Sequence, residues 1–367
     1  MNIYVWTLDN GYFTKKKVID YSNSVIWVSR YCDCGEFEIY IPASKELMEL
    51  FKGDVLFTRD DSDTTMMLEK IKLTTDIESG DFLIVSGRSL ESVLSRRVIN
   101  RQTTLDGTLA EGVSQLIEQS VINPTTLSGN SDTERIISNI EIADISGFTD
   151  ILKKQITGDN LLTSIIEICT AYGCGFKLNN NKDIDTFVFS IYKGRDISGD
   201  VIFSPKLGNI SKTEYTIDYS QSPNAVYVAG EGEGIERVVM FYEPTLNTEI
   251  SDYSEIEGLN RKEYWYDQRD CSSTSGTPMT DTFYLELLRS RGKEKFNELR
   301  PVAQYSGELL DNGMYKYKAD YNLGDTVLIE NDYGVRAKAT IVEITEVEDV
   351  NGYTIVPKLS EWRVLNG

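Results

Sequence analysis

The sequence predicts a mainly β fold with an α+β insert, and three observations indicate it. Short segments of alternating apolar and polar residues, separated by polar turns, occupy residues 1–95. Helical patterns with capping signals mark residues 96–204, and alternating segments return over residues 205–367. These changes predict three domains: a first β domain, an α+β insert, and a second β domain that contains a helix around residues 280–300.

The first domain begins with a predicted β-hairpin. Phe37, Ile39 and Ile41 alternate with polar residues, and the turn Cys-Asp-Cys-Gly precedes them. Apolar residues at helical spacing predict a short helix over residues 45–51. Together these strands and the ones that follow predict a small barrel or sandwich. The later predicted strands lie at residues 55–58, 66–75 and 82–86.

Two helices and a hairpin indicate the α+β insert. Thr108 and Glu111 have the spacing of a capping box, so a helix is expected to begin there. A second helix is predicted over residues 159–172, and Gly173 supplies its left-handed C-cap. The hairpin strands are predicted at residues 176–178 and 187–192.

The second β domain is predicted from strands that surround one helix. Thr280 and Asp281 supply the N-cap signal of that helix, and Arg300-Pro301 ends it. Gly292 in its middle costs about 1 kcal/mol of helix propensity relative to alanine. The predicted strands lie at residues 225–229, 235–241, 263–267, 326–330, 337–347 and 353–357.

A short pattern near the start of the chain resembles one near its end. Gly53-Asp54 and Gly324-Asp325 each precede an apolar strand, a polar turn with acidic residues and a second strand. Two copies of one β unit would explain this pattern. Chance would explain it equally well, because Gly-Asp before a strand is a common combination.

The charge and the absence of histidine exclude several classes of function. The chain has 367 residues, with 58 Asp plus Glu against 37 Lys plus Arg, a formal charge of −21 and no histidine. Without an imidazole the chain cannot be a Ser-His-Asp hydrolase, a Cys-His peptidase, or a protein whose zinc or haem is bound by histidine. The negative charge disfavours general binding to the phosphates of DNA or RNA.

Neither a signal peptide nor a membrane-spanning segment is expected. The N-terminal residues contain no cationic stretch followed by an apolar core, and no apolar run reaches the roughly 18 residues that a membrane helix needs. We therefore expect synthesis in a cytoplasm and no membrane insertion by this chain.

The five cysteines are expected to be reduced thiols, because they are odd in number and the chain is long enough to build its own core. A zinc site made from two cysteine pairs is the alternative. The one-residue spacing of the first pair is poor for tetrahedral zinc, so free thiols are favoured. The cysteines are Cys32, Cys34, Cys169, Cys174 and Cys271.

Two other segments resemble ligand sites only superficially. Residues 59–63 are acidic but lack the glycine and glutamate of a calcium loop, so a solvated hairpin turn is favoured. Residues 230–234 are rich in glycine, but their two glutamates would repel phosphate, so a hairpin loop is favoured. No catalytic, cofactor-binding or metal-binding residue is proposed from the sequence.

Two functions directed at sugars are alternatives to a structural role. A pair of carboxylates can hydrolyse a glycosidic bond without histidine, and a histidine-free cell-wall glycosidase therefore stays open, although no pair is singled out. The run Tyr264-Trp265-Tyr266 could stack on sugar rings and make the chain a carbohydrate-binding component. Such residues more often fill strands and subunit contacts.

Short motifs in a fixed order carry a resemblance that covers essentially the whole chain. With these motifs in this order, the chain resembles the tail-hub, or tail-associated, proteins of long-tailed bacteriophages and phage-like particles. The motifs are residues 29–31 (SRY), 35–42 (GEFEIYIP), 52–54 (KGD), 85–97 (VSGRSLESVLSRR), 172–176 (YGCGF), 192–196 (YKGRD), 201–205 (VIFSP), 261–264 (RKEY) and 320–325 (DYNLGD), with Pro357 near the end.

The resemblance implies a structural baseplate or tail-tip hub that is not an enzyme. Such a hub is a homotrimeric ring that closes the tail tube. Each subunit has two similar small β-barrel domains and an α/β intermediate domain, so that three subunits match a sixfold tube above and a threefold tip below. The implied domains are residues 1–95 and 205–367 as tube-like barrels, with residues 96–204 as the intermediate domain.

The resemblance also implies partners and a location. The partners would be the distal tail protein ring or tail tube, the tape-measure protein, and a tip, fibre or spike protein. The location would be the virion tail tip or baseplate, after assembly in the cytoplasm of a bacterial host. DNA would pass through the lumen without specific binding, and acidic residues facing the bore would keep it from adhering. Plain solubility explains the acidic composition equally well.

Overall fold

In the computed structural model, one eleven-stranded sheet contains strands from both ends of the chain. The fold is mainly β with helices concentrated in the middle, which confirms the predicted fold class. The predicted helix stop at Arg300-Pro301 lies outside the described residues. The structure describes residues 1–9, 12–76, 80–181, 186–220, 222–242, 256–273, 278–299, 302–309, 314–333, 336–360 and 362–363.

Seven strands form the N-terminal part of the large sheet, and one short helix connects two of them. The predicted hairpin and the three predicted strands after it are confirmed. The Ser44 side chain accepts the Leu47 N–H and begins the short helix, as a Ser N-cap does. The elements are β1 (Ile3–Asp9), β2 (Tyr12–Ile19), β3 (Ser24–Arg30), β4 (Glu36–Pro42), α1 (Lys45–Leu50), β5 (Val55–Arg59), β6 (Ser62–Asp76) and β7 (Gly80–Ser89).

The N-terminal strands share one apolar core. Phe37, Ile39 and Ile41 point into it, while Glu36 and Glu38 on the same strand are exposed. This alternation follows from the two-residue period of a strand. The strand order β3-β4-β7-β6-β5-β1-β2 is an open path within the described residues, so the barrel closure stays a prediction.

The middle of the chain contains two long helices and small sheets. The capping box of Thr108 and Glu111 is confirmed, and so is the left-handed Gly173 with φ 64°. The second helix starts slightly later than the predicted Asp159, with Asn160 as its N-cap, because the Asn160 side chain accepts the Leu162 N–H. The elements are a 3-10 helix (Leu90–Arg96), β8 (Thr103–Thr108), α2 (Leu109–Ile117), a π-helical turn (Glu118–Ile122), β9 (Ile140–Ile142), β10 (Ile151–Ile156), α3 (Leu161–Tyr172), β11 (Gly175–Asn181) and β12 (Thr186–Tyr192).

The remaining strands surround one long helix. This helix is unbroken through Gly292, and Asp281 caps it by accepting the Tyr284 N–H. No helix in the part of the chain that the structure describes is long and apolar enough to cross a membrane. The elements are β13 (Ile202–Phe203), β14 (Ile210–Asp218), β15 (Ala225–Ala229), β16 (Val239–Tyr242), β17 (Glu263–Asp267), α4 (Thr282–Glu298), β18 (Val302–Leu309), β19 (Thr326–Glu330), β20 (Arg336–Asp349), β21 (Gly352–Leu359) and β22 (Trp362–Arg363).

One predicted strand of this region starts later than expected. The strand predicted over residues 235–241 is wrong in its first part, where the chain forms a 3-10 turn at Gly234–Glu236. Arg237 follows the turn and donates to the carbonyl oxygens of Gly230 and Ala229 at 2.9 Å each. These bonds tie the chain back to the end of β15, and β16 pairs regularly only from Val239. The glycine-rich segment is a connection between two strands, as predicted.

Residues after 205 contribute to three different sheets. The three-stranded sheet β16-β15-β17 packs one face on α4, and β14, β18 and β22 form another small sheet. In contrast, β19, β20 and β21 belong to the large sheet, where β20 pairs antiparallel with β3. The division of the chain near residues 95 and 204 stays a prediction.

The two Gly-Asp segments have the same local form. Gly53 has φ 84° and leads into the hairpin of β5 and β6. Gly324 has φ 91° and leads into the hairpin of β19 and β20. Glycine is favoured at both places, because a left-handed backbone strains other residues. The likeness of the two complete β units stays a prediction.

Candidate functional site

A polar cleft of about 600 Å³ lies where the first strands, the middle of the chain and the last strands meet. The loop after β3 and the hairpin between β5 and β6 line one side of this cleft. The start of β11, the chain after β12 and the segment before β19 line the others. Charged residues of its walls include Asp33, Asp61, Glu91, Lys193, Arg195 and Asp325.

Tyr31 is the residue on which these three parts of the chain converge. A Cβ atom at Gly175 would lie 2.4 Å from its ring, and one at Gly324 would lie 2.5 Å from it. Only glycine at these two positions allows both segments to lie so close to the Tyr31 ring. The Tyr31 hydroxyl donates to the Tyr192 carbonyl oxygen at 3.2 Å and accepts the Gly194 N–H at 3.3 Å. Burial raises the pKa of Tyr31 to about 12, so the hydroxyl keeps its proton.

Glu91 is a buried carboxyl group on the 3-10 helix that follows β7. It accepts the backbone N–H of Leu178 on β11 at 2.8 Å, so it joins the first strands to the middle of the chain. Burial raises the pKa of Glu91; bonds from the Ser89 side chain and the Leu178 N–H, and the charge of Lys177, act in the opposite direction. The carboxyl group therefore favours its neutral form more than an exposed glutamate does.

Arg59 is fully buried at the end of β5 and binds two carboxylates. Its guanidinium donates to Asp61 at 2.6 and 2.9 Å and to both oxygens of Glu346 at 3.1 Å. Tyr353 also donates to Glu346. Glu346 lies on β20, so this network connects the end of β5 near the N-terminus to β20 near the C-terminus. The acidic hairpin that only superficially resembles a calcium loop thus contributes Asp61 to an ion pair.

Asp325, in the second Gly-Asp segment, joins two parts of the chain. Its carboxylate accepts the backbone N–H of Arg195 at 2.8 Å and that of Asn322 at 2.9 Å. The Arg195 guanidinium adds an ion pair at 2.7 Å. Asp325 therefore connects the chain that leaves β12 to the chain that enters β19.

The chemistry of the cleft favours a structural junction. Some of its charged groups form ion pairs, as Arg195 does with Asp325 and Asp61 with Arg59. Within the described ranges, no three Cys, Asp or Glu residues are placed to hold a metal ion. Of the two cysteine pairs considered for zinc, the second stays together at the end of α3, and Cys32 of the first pair donates to the Cys174 carbonyl oxygen. Cys34 is a buried member of the apolar core.

A second feature is the aromatic face of the sheet β16-β15-β17, opposite to α4. Phe241, Tyr227 and Trp265 lie side by side on neighbouring strands, with ring centroids 5.2 and 6.4 Å apart. Trp265 is 54% exposed. The run Tyr264-Trp265-Tyr266 is thereby divided, because Tyr264 and Tyr266 pack towards the core that α4 covers.

Arginine–carboxylate pairs border the aromatic face. Arg261 lies 5.1 Å from the Phe241 ring centroid and pairs with Glu263 at 2.5 Å. Arg237 pairs with Asp267 at 2.6 Å beside Trp265. This face therefore combines an exposed ring with polar groups held in fixed orientations.

The family follows from a match over nearly the whole chain. The sequence profile of the siphovirus ReqiPepy6 Gp37-like proteins matches residues 2–359. The chain belongs to this family of siphovirus tail proteins. A search of curated protein sequences finds no match.

Solved structures show that this chain has the fold of prophage tail proteins. A tail protein from Neisseria meningitidis MC58 is 13% identical with a TM-score of 0.57, and the alignment covers 99% of this chain and 97% of that one. Prophage tail protein gp18 from Listeria monocytogenes EGD-e is 13% identical with a TM-score of 0.55, over 99% and 95% of the two chains. The 43 kDa tail protein of prophage MuSo2 from Shewanella oneidensis is 12% identical with a TM-score of 0.55, over 99% and 98%.

The sequence contained weak signals for the residues of the cleft. Lys193 and Asp325 line the cleft and lie in motifs that carry the tail-hub resemblance, as does the neighbouring Tyr31, although the sequence predicts no role for them. Glu91 lies in another of these motifs, residues 85–97, beside the apolar residues Leu90, Val93 and Leu94. That this Gp37-like protein lacks catalytic, cofactor-binding and metal-binding residues stays a prediction.

Proposed function

We propose that the chain is the hub of a phage tail tip or baseplate, in which three copies form a ring that closes the tail tube. The ring would adapt the sixfold tube to a threefold tip, without enzymatic activity. The proposed neighbours are the distal tail protein ring or tube, the tape-measure protein, and a tip, fibre or spike protein. DNA would pass through the lumen without specific binding.

The observation that carries this proposal is the presence of two locally alike β units in one continuous sheet. Each unit begins with a left-handed glycine before Asp54 or Asp325 and continues as a β-hairpin. Because β3 pairs with β20, both units belong to one sheet. Three copies of such a chain present six related units, which suits a contact with a sixfold tube.

The proposal is tested by counting and locating the protein in purified particles. An N-terminal epitope tag is labelled with gold-conjugated antibody and imaged by negative-stain electron microscopy, while quantitative mass spectrometry gives the copy number. We expect three copies per tail and gold at the tip only. Untagged particles are the control for antibody specificity. Gold along the tube, or six or more copies per tail, would contradict a trimeric hub.

The aromatic face supports one second candidate, which is binding of cell-wall glycan. An exposed indole ring beside fixed arginine and carboxylate groups can stack on a sugar ring and bind its hydroxyl groups. The test is co-sedimentation with purified cell walls. We expect Trp265→Ala to reduce the bound fraction at least fivefold, while Tyr333→Ala, which removes an exposed aromatic ring elsewhere, leaves it unchanged. Equal binding of both variants would exclude this candidate.

A further inference from the structure

Three thiols meet at the C-terminal end of α3. Cys169 lies in the last turn of the helix, Cys174 follows it, and Cys32 comes from the loop after β3. Cys169 and Cys174 are fully buried. Cys32 donates its S–H to the carbonyl oxygen of Cys174 at 2.9 Å. The Cys32 proton is therefore directed to an oxygen atom rather than to the Cys174 sulfur.

The helix end places the other two thiols against each other. Gly173 is left-handed, and the Cys174 N–H donates to the Cys169 carbonyl oxygen at 2.9 Å. This is the hydrogen bond of a Schellman motif, which also brings the side chains of these two residues into contact. An apolar pair normally makes this contact, whereas here two buried cysteines occupy these positions.

The two thiols differ in their electrostatic surroundings. Interaction with the neighbouring Cys169 thiol lowers the pKa of Cys174, and the charge of Lys193 acts in the same direction. The same interaction raises the pKa of Cys169, and burial adds to this. Burial raises the pKa of Cys32 to about 12. Cys174 is thus the member of the cluster that is favoured as a thiolate, and a thiolate is the form that oxidants attack.

We propose that Cys169 and Cys174 are an oxidisable pair that a peroxide converts to a disulfide. The Cys174 thiolate attacks one oxygen of hydrogen peroxide, giving a Cys174 sulfenic acid and a hydroxide ion. The Cys169 sulfur then attacks the Cys174 sulfur. The S–S bond forms, the S–O bond breaks, and the leaving hydroxide takes the Cys169 proton as water. Both sulfurs are oxidised by one equivalent of peroxide.

Membership of a tail-protein family indicates when these thiols would meet an oxidant. A tail protein is made in a reducing cytoplasm and leaves it with the particle, so its thiols meet an oxidising medium only after assembly. Hydrogen peroxide is small enough to reach a buried thiol through local opening of the structure. The resulting bond would join the last turn of α3 to the start of β11.

The test is a thiol count on the complete chain. The folded protein is treated with one equivalent of hydrogen peroxide, denatured, alkylated with N-ethylmaleimide and analysed by intact mass and peptide mapping. We expect the number of alkylated thiols to fall from five to three and the disulfide to map to Cys169 and Cys174. Dithiothreitol should restore five. Cys271→Ser, which removes a distant buried thiol, should show the same loss of two.

Two results would overturn the proposal. One is a full count of five alkylated thiols after the treatment. The other is a disulfide that maps to Cys32 or joins two chains. When Cys169→Ser is combined with Cys32→Ser, no thiol of this cluster is left beside the sulfenic acid, so dimedone should label Cys174 there but not in the wild type. The wild-type map decides the question even where this variant folds poorly.

Discussion

At the scale of single residues, the carboxyl group of Glu91 links stability to pH. Burial raises its pKa in the folded protein above the value of about 4.3 that an unfolded chain has. The folded state therefore binds the proton more tightly than the unfolded state. The contribution of this group to stability is complete below the unfolded pKa and is lost as pH rises towards the folded pKa, by up to about 1.4 kcal/mol per pH unit.

Replacing Glu91 by glutamine should remove this dependence. The amide keeps a carbonyl oxygen for the Leu178 N–H but cannot ionise. We expect Glu91→Gln to raise the melting temperature relative to wild type, by an amount that increases between pH 5 and pH 8. Differential scanning fluorimetry over this range measures it, with the exposed Glu38→Gln as the matched control. A constant difference between Glu91→Gln and wild type over the whole range would show that Glu91 does not titrate as argued.

At the scale of elements, α4 shows how packing overrides helix propensity. A glycine in a helix interior costs about 1 kcal/mol relative to alanine, and the sequence alone therefore weakened the expectation of one helix. In the structure, a Cβ atom at Gly292 would lie 2.8 Å from the Val228 side chain and 3.0 Å from Cβ of Tyr242. The glycine lets α4 lie directly on β15 and β16.

The substitution Gly292→Ala should therefore destabilise the protein despite its better helix propensity. The added methyl group forces the helix away from the sheet, and overpacking of this kind costs about 1–3 kcal/mol. Urea denaturation followed by tryptophan fluorescence measures the change. Lys293→Ala, at the exposed neighbouring residue, is the control and should stay within about 0.5 kcal/mol of wild type. Stabilisation by Gly292→Ala would mean that the helix and sheet are less closely packed than described.

At the scale of the whole molecule, the two ends of the chain are held in one sheet. Backbone pairing of β3 with β20 makes the connection, and the buried ion pair of Arg59 with Glu346 reinforces it. The amino group of Met1 also pairs with Glu348 on β20. Replacement of Arg59 leaves the buried Glu346 carboxylate with the more distant Lys318, at 3.9 Å, as a cationic neighbour. This is far more costly than loss of an exposed pair.

Substitution of Arg59 tests this connection. We expect Arg59→Met to lower the free energy of unfolding by about 3–5 kcal/mol, and Arg59→Met with Glu346→Leu to recover much of the loss. Lys52→Met is the control, because it breaks an exposed pair with Glu49 and should cost less than about 1 kcal/mol. Chemical denaturation followed by fluorescence gives the three values. Equal costs for Arg59→Met and Lys52→Met would show that the buried pair does not hold the two units together.

The sequence by itself determined the local elements and the class of the fold. Alternation at Phe37, Ile39 and Ile41, the capping box at Thr108 and the left-handed Gly173 depend on contacts within a few residues. The residues that make each of these contacts are close together in the sequence, so these elements could be predicted. The order of the short motifs also pointed to the tail proteins, because it covers the chain from end to end.

Only the tertiary structure decided which distant segments meet. The pairing of β3 with β20, the contact of Cys32 with Cys174 and the outward direction of Trp265 all depend on partners far apart in the chain. An apolar pattern states which face of a strand is buried, but it does not name the neighbouring strand. For the same reason the burial of Glu91, and with it the raised pKa, emerges only when β11 packs against the first β unit.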